Sequence, residues 1–246
     1  MHWKTKIKKI ILMENTKTLS SRVGLYSSIA LTVLTILTFG FAMMAIPPSG
    51  PYCTGNCMEY PFRDLLTYYP RDYYWMYLAI FQLFALLIFV ISVHYNTSSK
   101  KKILSFIAVA FALISTTVLL ADYFIQFAVI PISMMKAETE GIALLTQYNG
   151  HGIFIALEEL GYITMSIALF FISFIFSSTN GLEKAIRWLL FLPFILNIAA
   201  FVVYTILFGI DRSYRFEVAS ISINWLFIIA TSVLISIFFK RNLKTN

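Results

Sequence analysis

Three acidic residues of this chain, Asp122, Glu158 and Glu159, fall inside strongly apolar runs. Hydrocarbon cannot solvate a carboxylate. Such a group therefore faces protein or a wet cavity and marks a functional position by default. Residues three, four or seven apart share one side of a helix, and this spacing sorts the polar residues into stripes. His151, Glu158, Tyr162, Ser166 and Ser173 form one stripe, and Ser115, Asp122 and Gln126 form another. Asn197, Tyr204 and Asp211 recur at sevens, as do Glu217, Asn224 and Thr231, with Ser220 beside the latter. Four successive helices thus carry polar faces that lipid would not tolerate. These faces are expected to converge inside the bundle, where Asp122, Gln126, His151, Glu158, Glu159, Tyr162, Asn197, Tyr204 and Asn224 would line a pocket.

The chemistry open to that set is narrow. Glu158 and Glu159, as helix neighbours, point about 100° apart, so one can face the pocket while the other pairs sideways. His151 and Glu158 share a face, which suits acid–base work on a lipid substrate, but no nucleophile accompanies them. A mixed divalent site of His151, Glu158 and Asp122 matches no compact ligand spacing. The only histidines are His2, His94 and His151, and the loop pattern puts the first two across the membrane from the third, which excludes a three-histidine zinc site. There is no phosphate loop, dinucleotide fingerprint, nucleophile elbow or haem-type histidine pair. No metal and no cofactor is expected. Ser115, Ser166, Ser173 and Thr231 read more plainly as interhelical hydrogen-bonding residues, and His151 as an interfacial helix cap. Gly161 is expected to allow a close helix approach, and Pro193 to kink its helix.

The elements that hold these residues follow from composition. Of 246 residues, 59% are hydrophobic and 13% charged, with mean hydropathy +0.78. A soluble domain carries about 25% charge, so lipid must solvate much of this chain. A span needs roughly 20 mostly apolar residues. The runs at about 24–46, 74–93, 103–130, 152–176, 188–209 and 218–239 qualify. The expected fold is all-α: a polytopic transmembrane bundle of about six spans in one membrane domain, 1–246, with residues 1–23 a basic cytoplasmic segment. Short connections make neighbouring helices antiparallel.

Orientation follows the Lys/Arg bias of the loops. One set of flanks holds 14 basic residues, Lys4, Lys6, Lys8, Lys9, Lys17, Arg22, Lys100, Lys101, Lys102, Lys184, Arg187, Lys240, Arg241 and Lys244. The alternate set holds 5, Arg63, Arg71, Lys136, Arg212 and Arg215. The first set is read as cytoplasmic, giving N-in/C-in topology in the plasma membrane. The net charge of +7 is then a topology signal and a surface for anionic lipid, and nucleic acid is not an expected partner. Trp3 to Leu12 reads as a basic anchor on the inner leaflet, unless Met13 is the true start. The first apolar run exceeds a signal-peptide core of about 7–15 residues and reads as a span.

Ten of the twelve acidic residues fall outside or in the outer parts of helices; only Glu14 and Glu183 lie on the cytoplasmic side. The first outer loop contains Pro47, Pro48, Pro51, Gly50 and Gly55, which rule out regular structure. It also holds the only two cysteines, Cys53 and Cys57, and on that side a disulfide between them would persist. From Glu59 to Trp75 the chain is dense in aromatic residues, as in an interfacial belt or a lid. Residues 142 to 145 are expected to form a short helix on the outer face. The inner halves of the spans are almost free of titratable groups, which weakens a pump or channel reading. The expected function is an outward-facing pocket that binds a small or lipid-like molecule for sensing, transport or assembly. The alternatives are an intramembrane enzyme using His151 and Glu158, and a structural subunit without a ligand. Membrane lipids are the expected partners, and the sequence leaves the oligomeric state open.

Overall fold

The computed structural model describes residues 2–45 and 48–245, with side chains for 17–45, 48–212 and 214–244. The expected inner-leaflet anchor at Trp3 to Leu12 and the loop residue Pro47 lie outside the described side chains. In chain order the helices are α1 (His2–Met44), α2 (Tyr74–Asn96), α3 (Lys102–Ala128), α4 (Ile130–Met135), α5 (Ile142–Leu145), α6 (Ile153–Ser173), α7 (Gly181–Phe208) and α8 (Ser213–Thr245). Among the described residues six of them are long and apolar enough to cross a membrane, α1 from Lys17 onward and α2, α3, α6, α7 and α8. The fold is an all-α bundle compatible with an integral membrane protein. Short helices α4 and α5 and several 3₁₀ turns occupy the loops at one end.

The six long helices close into a ring. α1 packs on α2, α2 on α3, α3 on α6, α6 on α7, α7 on α8 and α8 back on α1, while α6 also reaches across to α8. Particular contacts fix the directions. Phe41 of α1 meets Tyr74 at the start of α2, and Ser21 of α1 bonds Asn96 at the end of α2, so the two are antiparallel. Phe111 stacks on Phe171 and Ser115 bonds Gly161, which runs α3 against α6. Phe201 meets Phe216, and Thr32 bonds Ser232, closing α7 on α8 and α8 on α1 in the same sense. α6 and α8 are parallel, with Tyr162 beside Trp225 at one end and Phe176 beside Phe238 at the other. One end of the ring thus carries the Cys53–Cys57 loop, here the disulfide face. The other carries Arg22, Lys100, Lys101, Lys102, Lys184, Arg187, Lys240, Arg241 and Lys244, here the lysine face.

The fifth span starts earlier than its apolar run does. Asn180 accepts a hydrogen bond from the Leu182 amide and Glu183 sits in the first turn. Cap and negative charge together favour a helix start at that position, and the charged turn from Gly181 to Arg187 joins α7. This helix is the most peripheral of the six, and its outward face, including Ile198, Val202 and Ile206, is exposed as a lipid-facing surface would be.

At Gly161, α6 comes close to α3. A Cβ built there would overlap Leu119 Cγ, and Ser115 Oγ donates to the Gly161 carbonyl at 2.8 Å. Small residues let membrane helices approach closely enough for such bonds. Leu119 is fully buried and has nowhere to go. Gly161→Ala is therefore expected to destabilise by about 1–3 kcal/mol, the usual range for overpacking, read as a lower melting temperature in detergent. Adding Leu119→Ala should recover part of the loss. A strictly additive double variant would show that the two side chains do not meet.

Candidate functional site

The site begins with the helix ends at the disulfide face. Glu158 lies five residues into α6 and Glu217 four residues into α8. At 1.5 Å per residue both are about 6–8 Å below their helix starts. Asp122 lies a similar way in from the end of α3. All three side chains are buried, and among the described residues none of them has an ion-pair partner.

Glu158 is held from two sides. The Tyr123 hydroxyl donates to Glu158 Oε1 at 2.8 Å, and the Tyr162 hydroxyl stands 2.8 Å from the Tyr123 oxygen. A phenol has one proton to give. Tyr123 gives its proton to the carboxylate, so Tyr162 donates to Tyr123 and the bonds run in one direction toward Glu158. Asp122, the neighbour of Tyr123, lies within electrostatic reach of Glu158. The Glu217 carboxyl lies within hydrogen-bonding reach of Glu158. Glu217 is 6% exposed, and its Oε2 has no hydrogen-bond partner.

Above this pair is a cavity of about 330 Å³ between α1, α2, α6 and α8. Phe39, Ala42 and Met43 come from α1, Trp75 from α2, Phe154, Ile155 and Glu158 from α6, and Tyr214, Glu217, Val218, Ile221, Ser222 and Trp225 from α8. Loop residues Ala45, Pro48, Tyr52, Asp72, Gln147 and Tyr148 complete the wall at the disulfide face. Trp225 sits edge-on to Phe39, Trp75 and Tyr162, with ring centroids 5.7, 6.1 and 6.1 Å away. Most of the wall is aromatic or aliphatic, and its polar part combines three carboxyls with the hydroxyls of Tyr52, Tyr148, Tyr214 and Ser222 and the Gln147 amide.

The loops are tied down around this cavity. Ser49 Oγ donates to the Tyr148 carbonyl at 2.5 Å, joining the α1–α2 loop to the α5–α6 loop. Cys53 and Cys57 are bridged, with an S–S distance of 2.04 Å. Phe62, Leu65, Ile130, Ile142 and Tyr148 form a second small apolar core, with Tyr68 packed against it, so Phe62 and Leu65 of the stretch after the cysteines are held against α4 and α5. Arg71 pairs with Asp72 at 2.6 Å, and the Tyr148 hydroxyl donates to the other Asp72 oxygen at 3.3 Å. Burial pushes the Tyr148 hydroxyl above the usual tyrosine range, with Tyr73 and Asp72 acting in the same direction, so it remains a donor. Burial also raises the Tyr52 hydroxyl at the mouth.

Of the nine residues expected to line a pocket, Glu158 lines the cavity. Tyr162 and Asn224 stand behind its wall. Tyr162 is linked to Glu158 through Tyr123, and the Asn224 side-chain amide donates to the Ser220 and Tyr162 carbonyls. Asp122 is buried one shell away. Gln126 pins a loop instead: its amide donates to the Leu145 carbonyl at 2.6 Å and accepts from the Gln147 amide at 2.9 Å. Glu159 turns sideways to Arg212, 3.0 Å away. Asn197 joins helices, donating to the Pro193 carbonyl and accepting from Ser220 Oγ. Tyr204 stacks on Phe208 near the end of α7. His151 is exposed, and its backbone amide bonds the Asn149 side chain.

Sequence spacing pointed to the Glu217–Asn224 stripe but did not put Glu217 in the pocket set. It gave no sign of Trp225, Tyr214 or the α1 residues, because large apolar side chains in a membrane protein look alike whether they face lipid or a void. No protein-family model, curated protein or solved structure matches this chain.

Proposed function

We propose that this is a plasma-membrane protein that binds a small or lipid-like molecule in the cavity between α1, α2, α6 and α8, reached from the outer side. The observation that carries the reading is the cavity itself: about 330 Å³, mostly apolar, with a few convergent polar groups. This is the usual make-up of a ligand pocket, and the volume falls at the lower end of the usual range. The Lys/Arg excess on the lysine face supports N-in/C-in topology and makes the disulfide face the outer one. The disulfide suits an oxidising outer compartment. The concentration of carboxyls near that face favours a site served from outside.

Ser222 lies on the cavity wall and offers a direct test. Ser222→Cys protein is expected to react with a membrane-impermeant thiosulfonate added outside intact cells, and Lys100→Cys, exposed on the lysine face, only after the inner side is opened. The native cysteines are bridged and give no background. If S222C stays unmodified while K100C reacts normally, the pocket is closed and the proposal falls. If the sidedness is reversed, the topology falls.

A further inference from the structure

The cavity has an unbalanced chemistry. Asp72, Glu158 and Glu217 line it, and among the described residues no lysine or arginine does. The cations nearby are engaged elsewhere. Arg71 is bonded to Asp72 with most of its side chain in solvent. Arg212 is bonded to Glu159 and lies over the Phe201 ring, 4.3 Å from its centroid. Arg215, beyond Tyr52, lies 4.2 Å over the Phe208 ring and donates to the Asp211 carbonyl. Arg71 pairs with Asp72, while among the described residues Glu158 and Glu217 have no ion-pair partner. Glu217 Oε2 is buried and unpartnered, on a side chain that faces the void.

The remaining wall is suited to a positive charge. Trp75 and Trp225 line the same space, with Tyr214 and Phe154 around them. Aromatic faces attract cations through the ring quadrupole, tryptophan most strongly, and the attraction grows when the cation is desolvated. An aromatic box with one carboxylate is the general solution for a bulky ammonium group. An inorganic divalent ion fits less well, because among the described residues no three His, Cys, Asp or Glu side chains converge as metal ligands.

Building on the cavity proposed above, we infer that its ligand is an organic cation, an ammonium group on an apolar body, with Glu217 as counterion and Trp75 and Trp225 as walls. The ammonium belongs either to a free small molecule or to a lipid headgroup.

Protection of the S222C thiol separates these readings. The protein is placed in phosphatidylglycerol nanodiscs and labelled with neutral methyl methanethiosulfonate. Benzyltrimethylammonium, added at about ten times the concentration that half-protects the thiol, is expected to slow labelling by about tenfold, as occupancy of a single site requires. Phenylacetate and uncharged neopentylbenzene, of the same shape as the cation, should leave the rate unchanged. Glu217→Gln in the S222C background should abolish the protection while labelling itself continues. The ligand series on S222C alone carries the test if E217Q does not fold. Slower labelling in phosphatidylcholine nanodiscs with no added cation identifies the headgroup as the source, and equal rates identify a free cation. Equal protection by neopentylbenzene or phenylacetate overturns the cation and leaves the cavity intact, as does labelling that benzyltrimethylammonium fails to slow. No labelling of S222C, with K100C reactive, overturns both.

Discussion

Trp225→Ala is expected to be among the most damaging single substitutions in this protein, costing about 3–5 kcal/mol, the range for truncating a buried tryptophan. Trp225 is 1% exposed and touches rings from three other helices, Phe39 of α1, Trp75 of α2 and Tyr162 of α6. Between membrane helices little water is expelled, because lipid tails are as apolar as the protein side chains. Packing therefore carries most of the association. Removing the indole deletes the wedge that joins four helices and merges its volume with a cavity of about 330 Å³, so the neighbours cannot close the gap by small shifts. Leu226, the next residue, is 53% exposed, and Leu226→Ala should stay within about 0.5 kcal/mol, as for surface positions generally. Thermal unfolding in one detergent should show a large drop for W225A and almost none for L226A. The S222C thiol should also react faster in the W225A background, since the wall beside it is gone. Equal melting of the two variants would mean that Trp225 faces lipid and that the four helices do not meet there.

The spans could be read from the sequence because membrane length and apolar runs are tightly linked, and the stripes could be read because helical spacing puts residues on a common face. The disulfide followed from two cysteines four apart in a loop. What each polar face meets could not be read. Periodicity says that Asn197 and Glu158 each point inward. It does not say that Asn197 finds Ser220 on α8 and is satisfied, while Glu158 lies beside an unfilled space. Gln126 shows the same ambiguity at a helix end, where its polar side chain holds the loop at Leu145 and Gln147. The contribution of α1 was invisible for a different reason. Phe39 and Ala42 differ in no way from lipid-facing residues in type, and only the closure of α8 onto α1 turns them inward. A polar stripe in a membrane helix thus identifies a buried side, and neighbouring helices decide whether that side is a bond or a pocket.

Tyr123→Phe and Glu217→Gln should change stability in opposite directions, and the contrast separates a binding site from a structural bond. Tyr123 links Glu158 Oε1 and the Tyr162 hydroxyl, both at 2.8 Å and both buried. Phenylalanine leaves each without that partner. At roughly 1–3 kcal/mol for each unsatisfied buried group, the loss for the two should be about 2–6 kcal/mol. Glu217 differs because its Oε2 has no partner to lose and its carboxyl stands against Glu158. Glutamine has nearly the same shape and takes one of two neighbouring buried carboxyls out of the site. E217Q should therefore melt at or above the wild-type temperature, while Y123F melts well below it. Sites that hold an unfavourable group for a ligand commonly gain stability when the group is neutralised. If Glu217 served only to lock α8 to α6, its replacement would lower the melting temperature as Y123F does. Melting curves of the two variants, recorded without added ligand, therefore test the site independently of any assumption about what occupies it.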